Sequence, residues 1–147
     1  MSTSEASGGC GCPPTVSTEG AVHHLIVNVT DLERARTFYG WLMPRVGYPT
    51  AQDWPATTGY YHRGGSFWIK QATTDGAAFS KDRVGLCEIA FRAESRAQVD
   101  ALARDLTAKG VPILDPPREY PEYVPGYYAV FFTDPDGFKL ELVHIPG

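Results

Sequence analysis

The sequence of 147 residues lacks two features that would point to particular partners. It has no excess of basic residues, because 13 Lys and Arg stand against 17 Asp and Glu, a net charge of −4. Proteins that bind nucleic acid neutralise phosphates with clustered Lys and Arg, so we expect no nucleic-acid partner. It also has no long apolar run. Runs such as residues 25–27 and 129–132 are far below the roughly 20 residues that cross a bilayer, so we expect no membrane insertion.

Cysteine is scarce, with three in the chain. Cys10 and Cys12 form a C-x-C pair, a pattern that can hold a soft metal or act as a redox pair. No second pair completes a four-ligand site, so we favour incidental thiols. Cys87 stands alone in an apolar run, where a free cysteine usually behaves as a small buried hydrophobe.

The first 20 residues differ in composition from the rest. Thirteen of them are Ser, Thr, Gly or Pro, and only Glu5 and Glu19 are charged. Such a segment cannot bury enough apolar area to offset the entropy lost on ordering. It also lacks the basic start and apolar stretch of a signal peptide. We therefore expect residues 1–20 to form a flexible tail, and the protein to be cytoplasmic.

A strand followed by a capped helix begins the remaining chain. Residues 22–29 are rich in β-branched and apolar side chains, which is typical of a strand. Asp31 then offers an N-cap, and apolar residues recur at helical spacing until Gly47.

The same order returns in the second half. Residues 85–92 predict a strand, Ser95 begins a capping box, and Gly110 lies where a C′ glycine belongs. Ser95 follows Asp31 by 64 positions and Gly110 follows Gly47 by 63. An offset held across strand, cap and helix end indicates two copies of one unit.

Segments typical of strands follow each predicted helix: 59–62 and 66–70 in the first half, and 111–114, 127–133 and 138–144 in the second. Residues 134–137 join the last two segments and have the Asp, Pro and Gly of a type I turn. We therefore predict an α+β fold in which residues 21–147 form one domain of two βαβββ modules, 21–84 and 85–147.

Strand alternation places four ionisable side chains opposite the helices. Successive strand residues point to opposite faces, and one face of each sheet must pack on a helix. Phe67 and Ile69 can take the helix side, which leaves Trp68 and Lys70 on the other face. The same reasoning on the other strands collects His24, Lys70, Glu88 and Glu141. Because a charge among apolar residues is costly unless it is paired or bound to a metal, these positions predict a site.

These positions resemble the vicinal oxygen chelate superfamily, which holds glyoxalase I, fosfomycin-resistance transferases, extradiol dioxygenases and bleomycin-resistance proteins. The resemblance covers residues 21–146. It is carried by His24, Asp31 and Leu32, Phe38 and Tyr39 on the following helix, residues 88–91, and residues 134–142.

The resemblance implies paired βαβββ modules that form a cup-shaped mixed sheet around one site, and a homodimer. His24 and Glu141 match metal ligands of the family, whereas two other positions depart from its pattern. Glu88 stands where the family most often has His, and Lys70 stands where glyoxalase I has a carboxylate or amide. A shift by one residue would bring Gln71 to that position instead of Lys70.

Two forms of the site stay open. One imidazole and two carboxylates, from His24, Glu88 and Glu141, suit Zn, Mn, Fe or Ni. This set does not match the two-histidine iron triad, which counts against an extradiol dioxygenase. Alternatively, no metal is bound, and Lys70 bridges Glu88 and Glu141 because an ammonium has three donors and no lone pair.

Two functions follow from these alternatives. The first is a glyoxalase-like enzyme of the lyase or isomerase type that acts on an oxygenated small molecule. It would use a metal, or Lys70, Glu88 and Glu141 as acid and base. The second is a metal-free protein that binds a drug or metabolite. Trp68, Tyr128 and His62 are the candidate contacts, since aromatic rings stack on flat ligands. The proline-rich residues 115–126 predict an irregular loop, either a lid over the cavity or a rigid surface loop.

Overall fold

A computed structural model describes residues 20–146, so the predicted tail with Cys10 and Cys12 lies outside the described residues. The α+β prediction is confirmed, because the chain forms two four-stranded mixed sheets and two α-helices. Sheet A has the order β1-β4-β3-β2 and contains β1 (His24–Val29), β2 (Thr50–Trp54), β3 (Thr57–His62) and β4 (Gly65–Gln71). Sheet B has the order β5-β8-β7-β6 and contains β5 (Ile89–Arg92), β6 (Ile113–Glu119), β7 (Tyr128–Thr133) and β8 (Lys139–His144).

The helices begin and end where the capping residues predict. Helix α1 (Leu32–Leu42) begins after Asp31, whose carboxylate accepts a hydrogen bond from the backbone N–H of Arg34 at 3.0 Å. Helix α2 (Arg96–Ala108) begins after Ser95, whose hydroxyl accepts from the N–H of Gln98 at 3.2 Å. A short 3₁₀ helix (Met43–Val46) extends α1 and ends at Gly47. The φ of Gly47 is 97°, a left-handed conformation that favours glycine.

One apolar core joins the helices and both sheets. Phe67 and Ile69 on β4, and Leu140 and Leu142 on β8, are buried on the helix side, as alternation predicts. The rings of Phe67 and Phe91 meet edge to face with centroids 6.1 Å apart, so the core is continuous from sheet A to sheet B. Each sheet therefore has one face packed on the helices and an opposite face, which we call its open face.

One strand of the first module has no counterpart in the sequence predictions, and two of those predictions are wrong. Strand β2 was not predicted, because all five of its residues are exposed and show no apolar alternation. Residues 115–119, predicted as an irregular loop, belong to β6, an edge strand with register shifts that accommodate its two prolines. Cys87 is exposed rather than buried, because β5 begins only at Ile89. Within residues 20–146, no helix has the length and apolar character that crossing a bilayer requires.

Candidate functional site

The open face of sheet A is an ordered grid of side chains, because residues paired across neighbouring strands share a face. The strand registers place the grid in three rows, each running from β1 through β4 and β3 to β2. The rows are His24, Ser66, Tyr61 and Thr50; Ile26, Trp68, Gly59 and Gln52; and Asn28, Lys70, Thr57 and Trp54.

An aromatic cluster lies at the centre of this face. The rings of Trp54 and Trp68 are stacked, with centroids 5.2 Å apart and planes 26° apart. Tyr61 meets the Trp68 ring edge-on at 5.7 Å. The indole Nε1 of Trp68 donates to the Ser66 hydroxyl at 2.9 Å, which fixes the ring orientation. We call Trp54, Tyr61 and Trp68 the aromatic platform.

Gly59 allows Trp68 to lie flat on the sheet. A Cβ at position 59 would lie 3.0 Å from three carbons of the Trp68 ring, closer than most real Cβ contacts. Glycine inside a strand often marks such a close approach. The platform is therefore built into the backbone of β3 as well as into its aromatic side chains.

The electrostatic character of this face is set by one lysine. None of the residues in the three rows is Asp or Glu, and Lys70 is exposed. Asp53, the carboxylate on β2, points to the helix side, where it accepts from Thr58 and lies 3.6 Å from Arg36. His24 is also exposed, and its Nδ1 lies 3.0 Å from Nδ1 of His23.

A cavity of about 720 Å³ opens beside the platform. Ile26, Asn28 and Lys70 line it from the open face of sheet A, and Leu86 and Phe79 line it from the segment between the two sheets. Lys70 therefore stands between the aromatic platform and the cavity, with Trp68 two residues before it on the same strand.

The open face of sheet B, which lies opposite its helix, is covered by Tyr120 and Tyr127 and is therefore not exposed to solvent. Glu141 is 1% exposed, and its Oε1 accepts a hydrogen bond from the Tyr127 hydroxyl at 2.5 Å. Tyr120 packs edge-on against Tyr127 and against Phe131 of β7. Burial raises the pKa of Glu141, an effect that the charge of Glu88 strengthens and the hydrogen bond from Tyr127 partly opposes. Burial and the hydrogen bond to Glu141 raise the pKa of Tyr127.

A charged pair formed by Lys139 and Glu88 lies beside Glu141. Nζ of Lys139 is 2.6 Å from Oε2 of Glu88, but the two groups are not oriented for a hydrogen bond. The same ammonium lies 4.4 Å from the centroid of the Phe131 ring. Burial alone would lower the pKa of Lys139, but the adjacent Glu88 carboxylate outweighs burial and raises it.

The predicted site residues fall into two groups. His24, Lys70 and Trp68 lie on the open face of sheet A, whereas Glu141 lies on that of sheet B and Glu88 immediately precedes β5. The predicted ion pair between Lys70 and both glutamates is wrong: Lys139 pairs with Glu88, and Tyr127 binds Glu141.

Three other residues take positions on the helix side or at its edge. The Tyr128 hydroxyl donates to Asp100 of α2 at 2.7 Å, and the ring of His62 packs on Tyr48 at 5.2 Å. Both side chains point away from the platform. The amide of Gln71 accepts from the N–H of Leu32 and donates to the carbonyl of Thr30, so it holds the start of α1. Lys70 rather than Gln71 therefore belongs to the open face.

Sequence reasoning did not assign Trp54, Tyr61, Tyr127 or Lys139 to the site. Tyr61 had a signal in strand alternation, since Tyr60 and Tyr61 are neighbours in the predicted strand 59–62 and must point to opposite faces. Trp54 had none, because β2 shows no apolar alternation. Tyr127 begins the predicted strand 127–133, in which alternation places it on the same face as Phe131, but its hydrogen bond to Glu141 on another strand has no local signal.

The family-implied metal does not fit these residues. The structure brings together no group of three His, Cys, Asp or Glu side chains able to hold a metal ion among residues 20–146. His24 pairs with His23, Glu88 with Lys139, and one oxygen of Glu141 is occupied by Tyr127. An ammonium beside a carboxylate already neutralises the charge that a cation would neutralise.

Comparisons with known proteins agree on one family. A family model described as the Glyoxalase/Bleomycin resistance protein/Dioxygenase superfamily matches residues 21–142. The chain is 39% identical over 124 residues to the uncharacterized protein YqjT of Bacillus subtilis (strain 168), covering 83% of this chain and 97% of that protein.

Solved structures agree with this match. A structure from Bacillus halodurans, described provisionally as a glyoxalase, is 33% identical, has a TM-score of 0.76, and covers 87% of this chain and 98% of that one. A glyoxalase/bleomycin resistance protein from Albidiferax ferrireducens T118 is 26% identical, with a TM-score of 0.71 and coverage of 84% and 98%. A lactoylglutathione lyase from Agrobacterium tumefaciens, 17% identical with a TM-score of 0.61 and coverage of 90% and 96%, shares the fold alone. The resemblance carried by the sequence motifs is confirmed.

Proposed function

Because the chain belongs to the Glyoxalase/Bleomycin resistance protein/Dioxygenase superfamily, we propose that it binds a flat small molecule on the open face of sheet A without the help of a metal. The observation that carries this proposal is the stack of exposed Trp54 on half-buried Trp68. Stacked rings on an open sheet leave one aromatic face available to a planar ligand.

The platform is preorganised for such a ligand. The hydrogen bond from its indole N–H to Ser66 fixes the orientation of the Trp68 ring, and the ring lies close to the backbone of Gly59 because that residue has no side chain. A ring that is already fixed loses little conformational entropy when a ligand stacks on it. The adjacent cavity of about 720 Å³ is within the size range of small-molecule sites and has room for the non-aromatic part of a ligand.

Calorimetric titration with 2-naphthamide, a neutral planar probe, tests this proposal. We expect Trp68→Leu to weaken binding about tenfold, because an aromatic pair contributes about 0.5–1.5 kcal/mol beyond the apolar area it buries. Trp41→Leu is the matched control, since Trp41 lies on α1 under the side chain of Arg45. Equal losses in the two variants, or no binding to the wild type, would reject the proposal.

A second candidate function is acid–base catalysis on an oxygenated small molecule at Glu141. It is favoured by a buried carboxyl group with a raised pKa, joined at 2.5 Å to a phenol. Groups in such pairs serve as proton donors and acceptors when a substrate reaches them. In this role Glu141 would move the proton, while Glu88 and Lys139 would supply the neighbouring charges.

Hydrogen–deuterium exchange of 2-acetylnaphthalene in D₂O separates the two functions. Catalysis predicts that the wild type accelerates exchange of the methyl hydrogens next to the carbonyl and that Glu141→Gln abolishes the acceleration. A protein that only binds predicts exchange at the rate of buffer in both. Glu94→Gln, a change at an exposed carboxylate, is the control.

The homodimer that the resemblance implies stays part of the proposal. Sedimentation velocity across a range of protein concentrations tests it. The affinity for 2-naphthamide, measured at several protein concentrations, then identifies the dimer surface. If a second copy covers Ile26, Trp54 and Trp68, binding will strengthen on dilution. If the dimer uses another surface, binding will not depend on protein concentration.

A further inference from the structure

We propose that the ligand of the aromatic platform is an anion, a planar aromatic acid whose charged group is bound by Lys70. This inference rests on the proposed function, because it assumes that the platform binds a flat molecule. It adds the chemical class of that molecule and the residue that selects it.

The charge of the platform's surroundings carries the inference. The chain as a whole is acidic, with a net charge of −4, yet the open face of sheet A carries no Asp or Glu in any of its three rows. Asp53 on β2 alternates to the opposite face, where Arg36 lies 3.6 Å away. Lys70 is thus a cation on a grid without carboxylates. The two carboxylates that line the adjacent cavity already have partners, since Asp134 accepts from Tyr39 and Asp136 is bound by Thr30 and Arg34.

Lys70 is also free to bind a ligand. Within residues 20–146, none of the ion pairs includes Lys70, whereas Lys81 and Lys139 each lie beside a carboxylate. Its side chain is exposed and lines the adjacent cavity. An ammonium with three donors and no bound partner is suited to a carboxylate or phosphate group.

The position of Lys70 fits a ligand stacked on the platform. Lys70 follows Trp68 by two residues on β4, a separation of roughly 6–7 Å along a strand. It shares a row with Trp54, with Thr57 between them. A ring lying on the tryptophans therefore brings a substituent at its edge within reach of the flexible ammonium.

The same arrangement disfavours a cationic ligand. Aromatic faces attract cations, and a platform of two tryptophans and a tyrosine would serve that purpose if carboxylates surrounded it. Here the nearest charge on the grid is positive, so it repels a cation. The aromatic cluster and the lysine together select for planar anions.

Three probes with the same ring system test the inference by calorimetry at low salt: 2-naphthoate, 2-naphthamide and 2-naphthylmethylamine. We expect 2-naphthoate to bind about threefold to fivefold more tightly than the amide, the upper part of the range of an exposed ion pair, and the amine to bind most weakly. Lys70→Gln should remove the difference between acid and amide, chiefly by weakening the binding of the acid. Lys81→Gln, at an exposed lysine paired with Asp82, should leave all three affinities unchanged. Salt should reduce the acid's advantage because it screens exposed charges.

The outcomes separate this inference from the proposed function. If the acid and the amide bind equally, or Lys70→Gln leaves their difference intact, the anion preference is wrong while the platform remains a binding site. If the amine binds best, the platform is a cation site and the inference is overturned. If none of the three probes binds, the proposed function fails and the inference fails with it.

Discussion

The Tyr39 hydroxyl on α1 donates a hydrogen bond to Oδ2 of Asp134, 2.9 Å away, in the turn between β7 and β8. Both side chains are buried, at 0% and 5% exposure. The other oxygen of Asp134 accepts from the backbone N–H groups of Asp136 and Phe138 at 2.9 and 2.7 Å. A residue of the first half of the chain is thereby bound to a turn that the second half forms.

Removal of this hydroxyl should weaken the protein measurably. We expect Tyr39→Phe to lower the free energy of unfolding by about 1–2 kcal/mol, because a buried acceptor loses one of its partners and the ring stays in place. Urea denaturation measures the change. Tyr48→Phe serves as the control, since no hydrogen bond of the Tyr48 hydroxyl is found among residues 20–146; a loss there equal to that of Tyr39→Phe would contradict the prediction.

The stability of the protein should also depend on pH through Asp134. Burial raises the pKa of Asp134 above its ordinary value of 3.8, although hydrogen bonds from Phe138, Tyr39 and Asp136 partly oppose the effect. A carboxyl group with a raised folded-state pKa stabilises the fold below its ordinary pKa, and that contribution is lost as pH rises through the folded-state value.

Asp134→Asn isolates this contribution, because the amide keeps an acceptor oxygen and cannot ionise. The free energy of unfolding of Asp134→Asn relative to the wild type should increase from pH 3.5 towards pH 7 and then level off. Glu141 has a raised pKa as well, but it is present in both proteins and its contribution cancels in the difference. If this difference stays constant or decreases with pH, the pKa of Asp134 is not raised in the folded state.

A methyl group at position 59 should displace Trp68. In Gly59→Ala the new Cβ would lie 3.0 Å from the ring, so we expect the stack with Trp54 to be lost at a cost of about 1–3 kcal/mol. Loss of the exciton signal of the stacked indoles in far-ultraviolet circular dichroism would report it. Gly40→Ala is the control, because Gly40 lies on the exposed side of α1 with no atom within 4 Å of its added Cβ. That variant should be more stable by about 0.5–1 kcal/mol and keep the signal.

Much of the fold could be predicted because its signals are local. Asp31 and Ser95 begin helices through hydrogen bonds to residues three positions later, and Gly47 ends one through its own backbone. Alternation along β4 was enough to separate Phe67 from Trp68, since one burial face per strand is a property of a few consecutive residues.

The candidate site could be predicted only in part because its contacts join distant positions. Tyr127 and Glu141 are 14 residues apart, and Tyr39 and Asp134 are 95 apart. Trp54 reaches Trp68 only through the register of β2, a strand with no apolar alternation. Alternation along β8 puts Lys139 and Glu141 on the same face, but it does not indicate that Lys139, rather than Lys70, pairs with Glu88.

Because His24, Glu88 and Glu141 already have partners, we expect divalent metals to leave the thermal stability of the protein unchanged. Addition of Ni, Zn, Mn or Fe(II) is expected to shift the melting temperature by less than about 1 °C. A metal present at 100 times its Kd would add about 2.7 kcal/mol, which corresponds to several degrees. A shift of that size that disappears in Glu141→Gln would show that a metal displaces Tyr127 from Glu141. Elemental analysis of the purified protein provides an independent check.

The indole N–H resonances of the three tryptophans in a ¹H–¹⁵N spectrum test the claim that Trp54 and Trp68 form the ligand-binding surface. During titration with 2-naphthoate, the resonances of Trp54 and Trp68 should shift together and saturate, while that of Trp41 on α1 stays in place. Assignment by single Trp→Phe variants identifies each resonance. Equal shifts of all three, or a shift confined to Trp41, would contradict the claim.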